Sequence, residues 1–381
     1  MLSQRGRVMK RDSGQTPTKK PLPTPRLVAW ESTRACRLAC VHCRASAQPE
    51  PDPRELTTEE ALRLVDEIAE VARPIFIVSG GDPLLRADVF DVCSHARDKG
   101  FKVVMSPSGT DLNPEIVARL KASGVTGLSI SLDGSCPEVH DSFRQVPGAF
   151  ERTVAGIGAA RGGGLPFQIN TTVTRRNMED LPAMFRRAVE LGAETWDVFM
   201  LVPTGRGKVE DRVSGEEYEE ILRWVYQVSR EAPIHIKVTC GPHYKRVSRE
   251  MARSEGRREG VGRGRALGAG KGRKPGAGPL SWTRGCMAGD GFCFISHLGD
   301  VCPCGYFPIP AGNIRESSFR DIYYNSKLFK ELRDYSLLEG RCGVCEYKKL
   351  CGGCRARALA VTGSYLGEEP DCIYRPRRAP R

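Results

Sequence analysis

From residue 27 to about 230 the chain alternates short apolar runs with amphipathic stretches. "LVAWEST" (27–33), "IFIVS" (75–79), "KVVMS" (102–106), "GLSISL" (127–132), "FQINTTV" (167–173) and "WDVFMLV" (196–202) read as six strands. Between them, "TTEEALRLVDEIAEVA" (57–72) carries apolar residues at helical spacing behind an opening Thr with Glu three residues on, a capping-box pattern. "ADVFDVCSHARDKG" (87–100) reads as a helix ended by Gly, and further helices are expected to begin near Asn113, Gly148 and Asp180. Six βα units with nearly continuous apolar strands predict an α/β fold with a parallel sheet, either doubly wound or barrel-like. In a barrel of this kind functional groups collect on the loops after the strands' C-terminal ends.

The pattern changes at about residue 282. One helix is predicted over 317–334, "SSFRDIYYNSKLFKELRD", and the rest is loop-rich. A region with so little apolar core needs staples. Nine cysteines lie there: Cys286, Cys293, Cys302, Cys304, Cys342, Cys345, Cys351, Cys354 and Cys372. No run of 18 apolar residues exists, so no membrane span is expected. Residues 1–26 are basic and Pro-rich without an apolar stretch, which does not read as a secretory signal. The expected location is cytoplasmic, where thiols stay reduced and many of them argue for metal.

The net charge of +12 raises the question of nucleic acid, and its distribution answers it. Residues 1–26 carry +6 and residues 245–274 carry +8, which leaves the remaining chain near −2. The second segment is Gly-rich and reads as a flexible loop. Neither segment interleaves aromatic residues for base stacking, so no nucleic-acid partner is expected.

The chemistry begins directly after the first strand. "ACRLACVHCRA" (35–45) spaces Cys36, Cys40 and Cys43 as C-x3-C-x2-C. Three thiolates fill three corners of a cubane iron–sulfur cluster and leave the fourth iron open. A zinc knuckle completed by His42 is the competing reading, disfavoured by the strand context and the second cysteine group; His42 is expected to pack against the cluster.

With "SGGDP" (79–83) closing the second strand, "SISLDG" (129–134), "HDSFR" (140–144) and "QINTTV" (168–173), the chain resembles the radical S-adenosylmethionine (SAM) superfamily, whose fold is a partial (β/α)6 barrel of TIM type. The resemblance implies a SAM-binding [4Fe-4S] cluster on Cys36, Cys40 and Cys43. It implies that Gly80, Gly81, Asp82 and Pro83 receive the SAM amino group, that Arg144 meets its carboxylate, and that Ser131 and Asn170 complete the cofactor site. Asp82 stands where relatives carry Glu, and "SPSGT" (106–110) where many have a TNGT-like turn.

"GDVCPC" (299–304) and "CGVCEYKKLCGGC" (342–354), with Cys372 beyond, resemble the cysteine-rich SPASM extension of that superfamily, except that C-x2-C replaces the usual final C-x3-C. The resemblance implies one or two auxiliary [4Fe-4S] clusters. Cys342, Cys345, Cys351 and Cys372 are expected to hold one; Cys286, Cys293, Cys304 and Cys354 are the candidates for the other, with Cys302 competing with Cys304. Cys93, Cys136 and Cys240 lack motif company and are expected to be ordinary residues. The expected organisation is a basic tail (1–26), the barrel (27–235), a linker with the basic loop (236–281), the auxiliary domain (282–375) and a short tail (376–381).

A narrower resemblance, in "LVPTGRG", "VTCGPHYKR" and "TRGCMAGDGFCFISHLGDVCPCGY", is to the radical SAM heme b synthases of the siroheme-dependent pathway. It implies oxidative decarboxylation of two propionates of Fe-coproporphyrin III to vinyl groups through a 5′-deoxyadenosyl radical. An iron-porphyrin substrate and a reduced donor such as ferredoxin or flavodoxin would be the partners. The substrate's carboxylates call for cations, for which Arg206, Arg246, Arg284 and Arg355 are candidates. His243 and Tyr244, then His297, are candidate ligands for its iron. The alternatives are a sister enzyme acting on didecarboxysiroheme or the heme d1 precursor, or a peptide-maturing SPASM enzyme. The last would carry a peptide-recognition domain for which the 26 residues before strand one leave no room.

Overall fold

Each predicted strand forms: β1 (Leu27–Glu31), β2 (Ile75–Ser79), β3 (Lys102–Met105), β4 (Val125–Ser131), β5 (Phe167–Val173) and β6 (Thr195–Met200), paired in parallel in chain order. The computed structural model describes residues 23–256 and 285–377. Of the expected basic loop, residues 245–254 are helical and 257–274 fall outside the described residues, as does Arg284.

Helices α1 (Thr58–Val71), α2 (Val89–Asp98), α3 (Pro114–Ala122), α4 (Pro137–Arg144), α5 (Ala149–Gly162) and α6 (Leu181–Leu191) occupy the connections. The Thr57 side chain accepts from the Glu60 amide at 3.2 Å while the Glu60 carboxylate accepts from the Thr57 amide at 2.9 Å, so the capping box forms. Ala61, Leu64, Val65 and Ile68 of α1 face inward and join Val28, Trp30, Phe76 and Val78 in one core between sheet and helices. The opposite face of the sheet is split. It is apolar where Ala29, Ile77 and Phe294 meet, and polar where Ser129, Gln168 and Asn170 hydrogen-bond to one another.

The sheet is larger than the periodicity predicts. Beyond α7 (Gly215–Ser229), β7 (His235–Thr239) pairs in parallel with β6, and α8 (Tyr244–Ser254) follows. The stretch expected to open a linker at 236 therefore continues the βα series. On the other side, β8 (Phe292–Ile295) pairs in parallel with β1, and β9 (Asp300–Cys302) and β10 (Gly312–Asn313) extend it antiparallel. The order is β10-β9-β8-β1-β2-β3-β4-β5-β6-β7, an open mixed sheet whose two edges stay apart. The helix predicted over 317–334 is broken into α9 (Phe319–Asn325) and α10 (Lys327–Arg333). Ser326 between them is extended, and its hydroxyl caps α10 through the Phe329 amide, a local bond that competes with continuing the helix. Two short helices, α11 (Gly340–Val344) and α12 (Arg355–Thr362), complete the cysteine-rich region.

Candidate functional site

The three-cysteine loop leaves the C-terminal end of β1 and is gripped from several sides. The amide of Cys36 donates to the Gln48 carbonyl at 2.8 Å, and those of Ala39 and Val41 donate to the carbonyls of Arg144 and Phe143 at 3.1 and 2.9 Å. From the loop after β6, Arg206 donates through its side chain to the carbonyls of Cys40 and Ala47, both at 2.8 Å. Gly205 lets that loop approach: a Cβ there would lie 2.3 Å from the Cys43 carbonyl oxygen.

Cys36 and Cys40 are buried and Cys43 half-buried. Hydrogen-bond donors aim at all three sulfurs: the Leu38 amide at Cys36, the Ala47 amide at Cys43, and the Arg144 guanidinium at Cys40, each at 3.4 Å. Burial, and then Asp82 and the other two thiols, push the Cys36 thiol up to about 12, although the Leu38 amide opposes this. Thiols packed this way need a strong local cation to become thiolates, and an iron cluster supplies it. Among the described residues no group of three Cys, His, Asp or Glu side chains closes around a single metal ion. A four-iron cube sets its sulfur ligands further apart than zinc–sulfur bonds of about 2.3 Å allow.

The motif after β2 packs onto the start of this loop. The Gly81 amide donates to the Thr33 carbonyl and the Asp82 amide to the Ala35 carbonyl, both at 2.7 Å. A Cβ on Gly81 would fall 2.2 Å from the Ala35 oxygen, so this contact admits only glycine. Pro83 opens a 3-10 turn capped by Asp82. The Asp82 carboxylate accepts from the Ser108 hydroxyl and amide, which gives the variant "SPSGT" turn a role. Burial raises the Asp82 carboxyl above the usual carboxylate range.

Arg144 and the missed residue Asp133 form a buried pair. Their charged atoms lie 2.6 Å apart, and the His42 ring lies 3.5 Å from the same carboxylate. Burial works against the Arg144 charge, but Asp133 and then Cys40 hold its pKa above the ordinary arginine value. His42 stands edge-on to Phe143. Ser131 ends β4 and is partnered in register with Asn170 in the middle of β5, and the Asn170 side-chain amide donates to Ser129 at 2.8 Å. The cysteine loop, the GGDP turn, Arg144 and Ser131 thus cluster at the C-terminal ends of β1, β2 and β4, with Asn170 beside Ser131 on β5.

The candidate substrate cations are placed differently from expectation. Arg206 is committed to the cysteine loop. Arg246 is buried against Glu219 and Glu250, and Arg355 donates to the carbonyls of Tyr365 and Gly367 at 2.9 and 2.6 Å. All three guanidinium groups bond to the fold itself, although Arg206 Nη2 and Arg246 Nε are left without a partner among the described residues. Tyr244 packs against the core between sheet and helices, with its hydroxyl 3.4 Å from that of Ser229. His243 is buried with both ring nitrogens unpartnered, 4.3 Å from the Tyr218 ring, and burial lowers it to about 4. His297 Nδ1 lies 2.7 Å from Glu31, which also meets Arg44 at 2.8 Å; Arg44 in turn lies over the Phe294 ring. Lys237, which was not singled out from the sequence, lies on the polar sheet face with Nζ 2.7 Å from Asp197 and 43% of its side chain exposed.

In the C-terminal region Cys342, Cys345, Cys351 and Cys372 line one cavity together with His243, Arg246 and Glu369. Amides again point at sulfur: Glu369 at Cys342 (3.3 Å), Tyr347 at Cys345 (3.4 Å) and Gly353 at Cys351 (3.4 Å). The second expected quartet does not assemble. Alternation along β8 turns Cys293 into the core between sheet and helices, while its neighbour Phe294 faces the other side. Cys302 packs with Ala29 and Phe294, which leaves Cys304 as the member beside Cys354. Cys240, expected to be ordinary, packs against Cys304 and Cys354 instead. Arg357 and Glu369, both fully buried and paired at 2.8 Å, tie this region to the barrel: Arg357 also donates to the carbonyls of Leu201 and Cys240 at 3.1 and 2.8 Å.

The radical SAM superfamily profile matches residues 30–188, and the SPASM iron-sulfur cluster-binding domain matches residues 286–355. The chain is 51% identical over 352 residues to an AdoMet-dependent heme synthase of Methanosarcina barkeri, covering 92% of this chain and 97% of the relative. It is 47% identical to the AdoMet-dependent heme synthase of Nitratidesulfovibrio vulgaris, covering 93% and 94%. The crystal structure of Streptococcus suis SuiB bound to precursor peptide SuiA shares the fold, with a TM-score of 0.70 at 18% identity over 93% of this chain and 77% of that one. The chain belongs to the radical SAM superfamily and, within it, to the family of AdoMet-dependent heme synthases.

Proposed function

We propose that this chain converts Fe-coproporphyrin III to heme b by removing two propionate carboxyl groups as CO2 and leaving vinyl groups. The single observation that carries the reading is the near-full-length likeness to AdoMet-dependent heme synthases, which extends through the cysteine-rich region and not only the barrel. Iron–sulfur clusters, when bound, supply one-electron chemistry: delivery of an electron to SAM at Cys36, Cys40 and Cys43, and acceptance of a surplus electron at Cys342, Cys345, Cys351 and Cys372.

The chain's own residues do the rest. Arg206 and the backbone of α4 hold the cysteine loop still, and Gly80 to Pro83 with Ser131 and Asn170 form the SAM cradle. Asp133 fixes Arg144 beside Cys40, where the guanidinium meets the SAM carboxylate. Hydrogen abstraction from the propionate carbon next to the ring, then loss of CO2, leaves one surplus electron per side chain, so both cysteine regions belong to one reaction. The task of the sheet is orientation and exclusion of water. Lys237, paired with Asp197 but with 43% of its side chain exposed on the polar face, is the cation we assign to a substrate carboxylate, since Arg206, Arg246 and Arg355 lie deeper in the fold. A reduced ferredoxin or flavodoxin is the donor that fits such low-potential chemistry.

The test is anaerobic turnover with SAM, a reductant and Fe-coproporphyrin III. The expected product has lost two carboxyl groups, read by mass. Formation of 5′-deoxyadenosine with the porphyrin unchanged would reject the substrate and keep the superfamily.

A further inference from the structure

The cavity lined by Cys342, Cys345, Cys351 and Cys372 is walled on one side by the start of α8, which contributes His243 and Arg246. Only 1% of His243 and 3% of Arg246 is exposed. Neither ring nitrogen of His243 has a partner among the described residues, and neither does Nε of Arg246. In either charge state an imidazole carries at least one N–H. A buried donor of this kind is unfavourable unless something accepts from it.

Both side chains are held in place. The His243 ring lies 4.3 Å from the Tyr218 ring, inclined by 35°, and the Tyr218 hydroxyl is tied to the Cys240 carbonyl at 3.0 Å. Arg246 is fixed through its two terminal nitrogens by Glu219 and Glu250, and it lies 4.8 Å from the centre of the Tyr374 ring.

The cysteine sulfurs have donors of their own. Amides two residues further on serve three of them: Tyr347 at Cys345, Gly353 at Cys351 and Tyr374 at Cys372. The Glu369 amide serves Cys342. The acceptor left for His243 is the inorganic sulfide of a cluster held by these four thiolates. Hydrogen bonds to cluster sulfur and nearby charge set the reduction potential, because reduction adds a negative charge to an already anionic cluster. Most charges on this wall cancel. Glu369 is paired with Arg357 at 2.8 Å, Glu368 with Arg341 at 3.0 Å, and Arg246 with its two carboxylates. The His243 N–H is the donor that no anion of the protein offsets.

We propose that His243 donates a hydrogen bond to a sulfide of this auxiliary cluster and raises its reduction potential, which makes it a positioning residue for the electron exit. The inference rests on the proposed function: each propionate radical that becomes a vinyl group and CO2 releases one electron, and the oxidised cluster is reduced by it. It gives His243 a partner other than the porphyrin iron.

The experiment is pulsed EPR and an EPR-monitored redox titration of the reconstituted full chain, with no turnover. Histidine alone carries heavy nitrogen, and added SAM moves the first cluster's signal apart from the auxiliary one. The auxiliary signal is expected to show a weak histidine nitrogen coupling that disappears in His243→Phe. That variant keeps a ring against Tyr218 and is expected to keep its iron. Its auxiliary cluster should bind an electron about tenfold less well, a midpoint lower by about 59 mV for a one-electron couple. His243→Gln retains a donor and should recover part of the shift, and the first cluster's midpoint should stay fixed in both variants. Absence of a histidine coupling on the auxiliary signal of the unaltered chain would overturn the proposal, and so would an unchanged midpoint in His243→Phe. The coupling is read without substrate, so a chain that shows it yet leaves Fe-coproporphyrin III unchanged loses the proposed substrate and keeps this role for His243.

Discussion

Cys36, Cys40 and Cys43 come from one loop, and the barrel grips that loop by its backbone: Arg206 on one side, the end of α4 on another, the GGDP turn beneath. Cys342, Cys345, Cys351 and Cys372 instead line a cavity in a region of short helices, cross-tied by single side chains such as Arg355, Arg357 and Glu369. The first site is carried by a sheet that folds for its own reasons. The second region has little apolar core of its own, so the proposed cluster would be part of what keeps it folded. On the proposed function, the difference teaches where the enzyme is fragile: radical generation would sit on rigid scaffold, and the electron exit on structure that the cofactor helps to hold.

Four experiments sharpen or break this contrast. The largest effect is expected from Cys40→Ala, which removes one of the three proposed cluster ligands; SAM cleavage, read as 5′-deoxyadenosine, should fall to background. Stripping iron anaerobically with a chelator comes next. Amide exchange should rise sharply over residues 342–372 while β1 to β6 stay protected, and equal deprotection of both would erase the contrast.

Third, Arg357→Met leaves Glu369 buried without its partner and should cost about 3–5 kcal/mol in denaturant unfolding. The same pair sets an acid limit. Burial works against the Glu369 charge, but Arg357 and then His243 hold the carboxyl at about 2. A depressed carboxyl contributes stability that is present above its unfolded value of about 4.3 and is lost as pH falls from there toward about 2. Unfolding followed against pH should show that loss in the unaltered chain and a smaller one in Glu369→Gln. The smallest effect belongs to Lys237→Gln, a half-exposed cation, with a rise in KM for the porphyrin of several-fold, on the order of 1 kcal/mol, and little change in kcat.

Much of this architecture is legible in the chain. The six apolar runs become β1 to β6 because near-continuous apolar strands belong in a sheet covered by helices. The first cysteine loop is legible because its ligands are close in sequence. What hides from view depends on tertiary contact. "HIKVT" is too short and too charged to announce β7, and "FCFI" pairs with β1 across more than 260 residues. Cys293 looks like a ligand by spacing, yet strand alternation aims it at α9 and α10. Arg206 sits between glycines like an exposed clamp, but Gly205 serves close approach to the cysteine loop. Asp133 is visible in "SISLDG", a signal that a search for the partner of a buried Arg144 would find.

The central claim is that a radical made at the first cysteine loop reacts with a propionate side chain. Fe-coproporphyrin III carrying deuterium at the propionate carbons next to the ring tests it directly. After anaerobic turnover the account predicts deuterium in the 5′-deoxyadenosine and vinyl groups on the porphyrin; vinyl formation with unlabelled 5′-deoxyadenosine would contradict it.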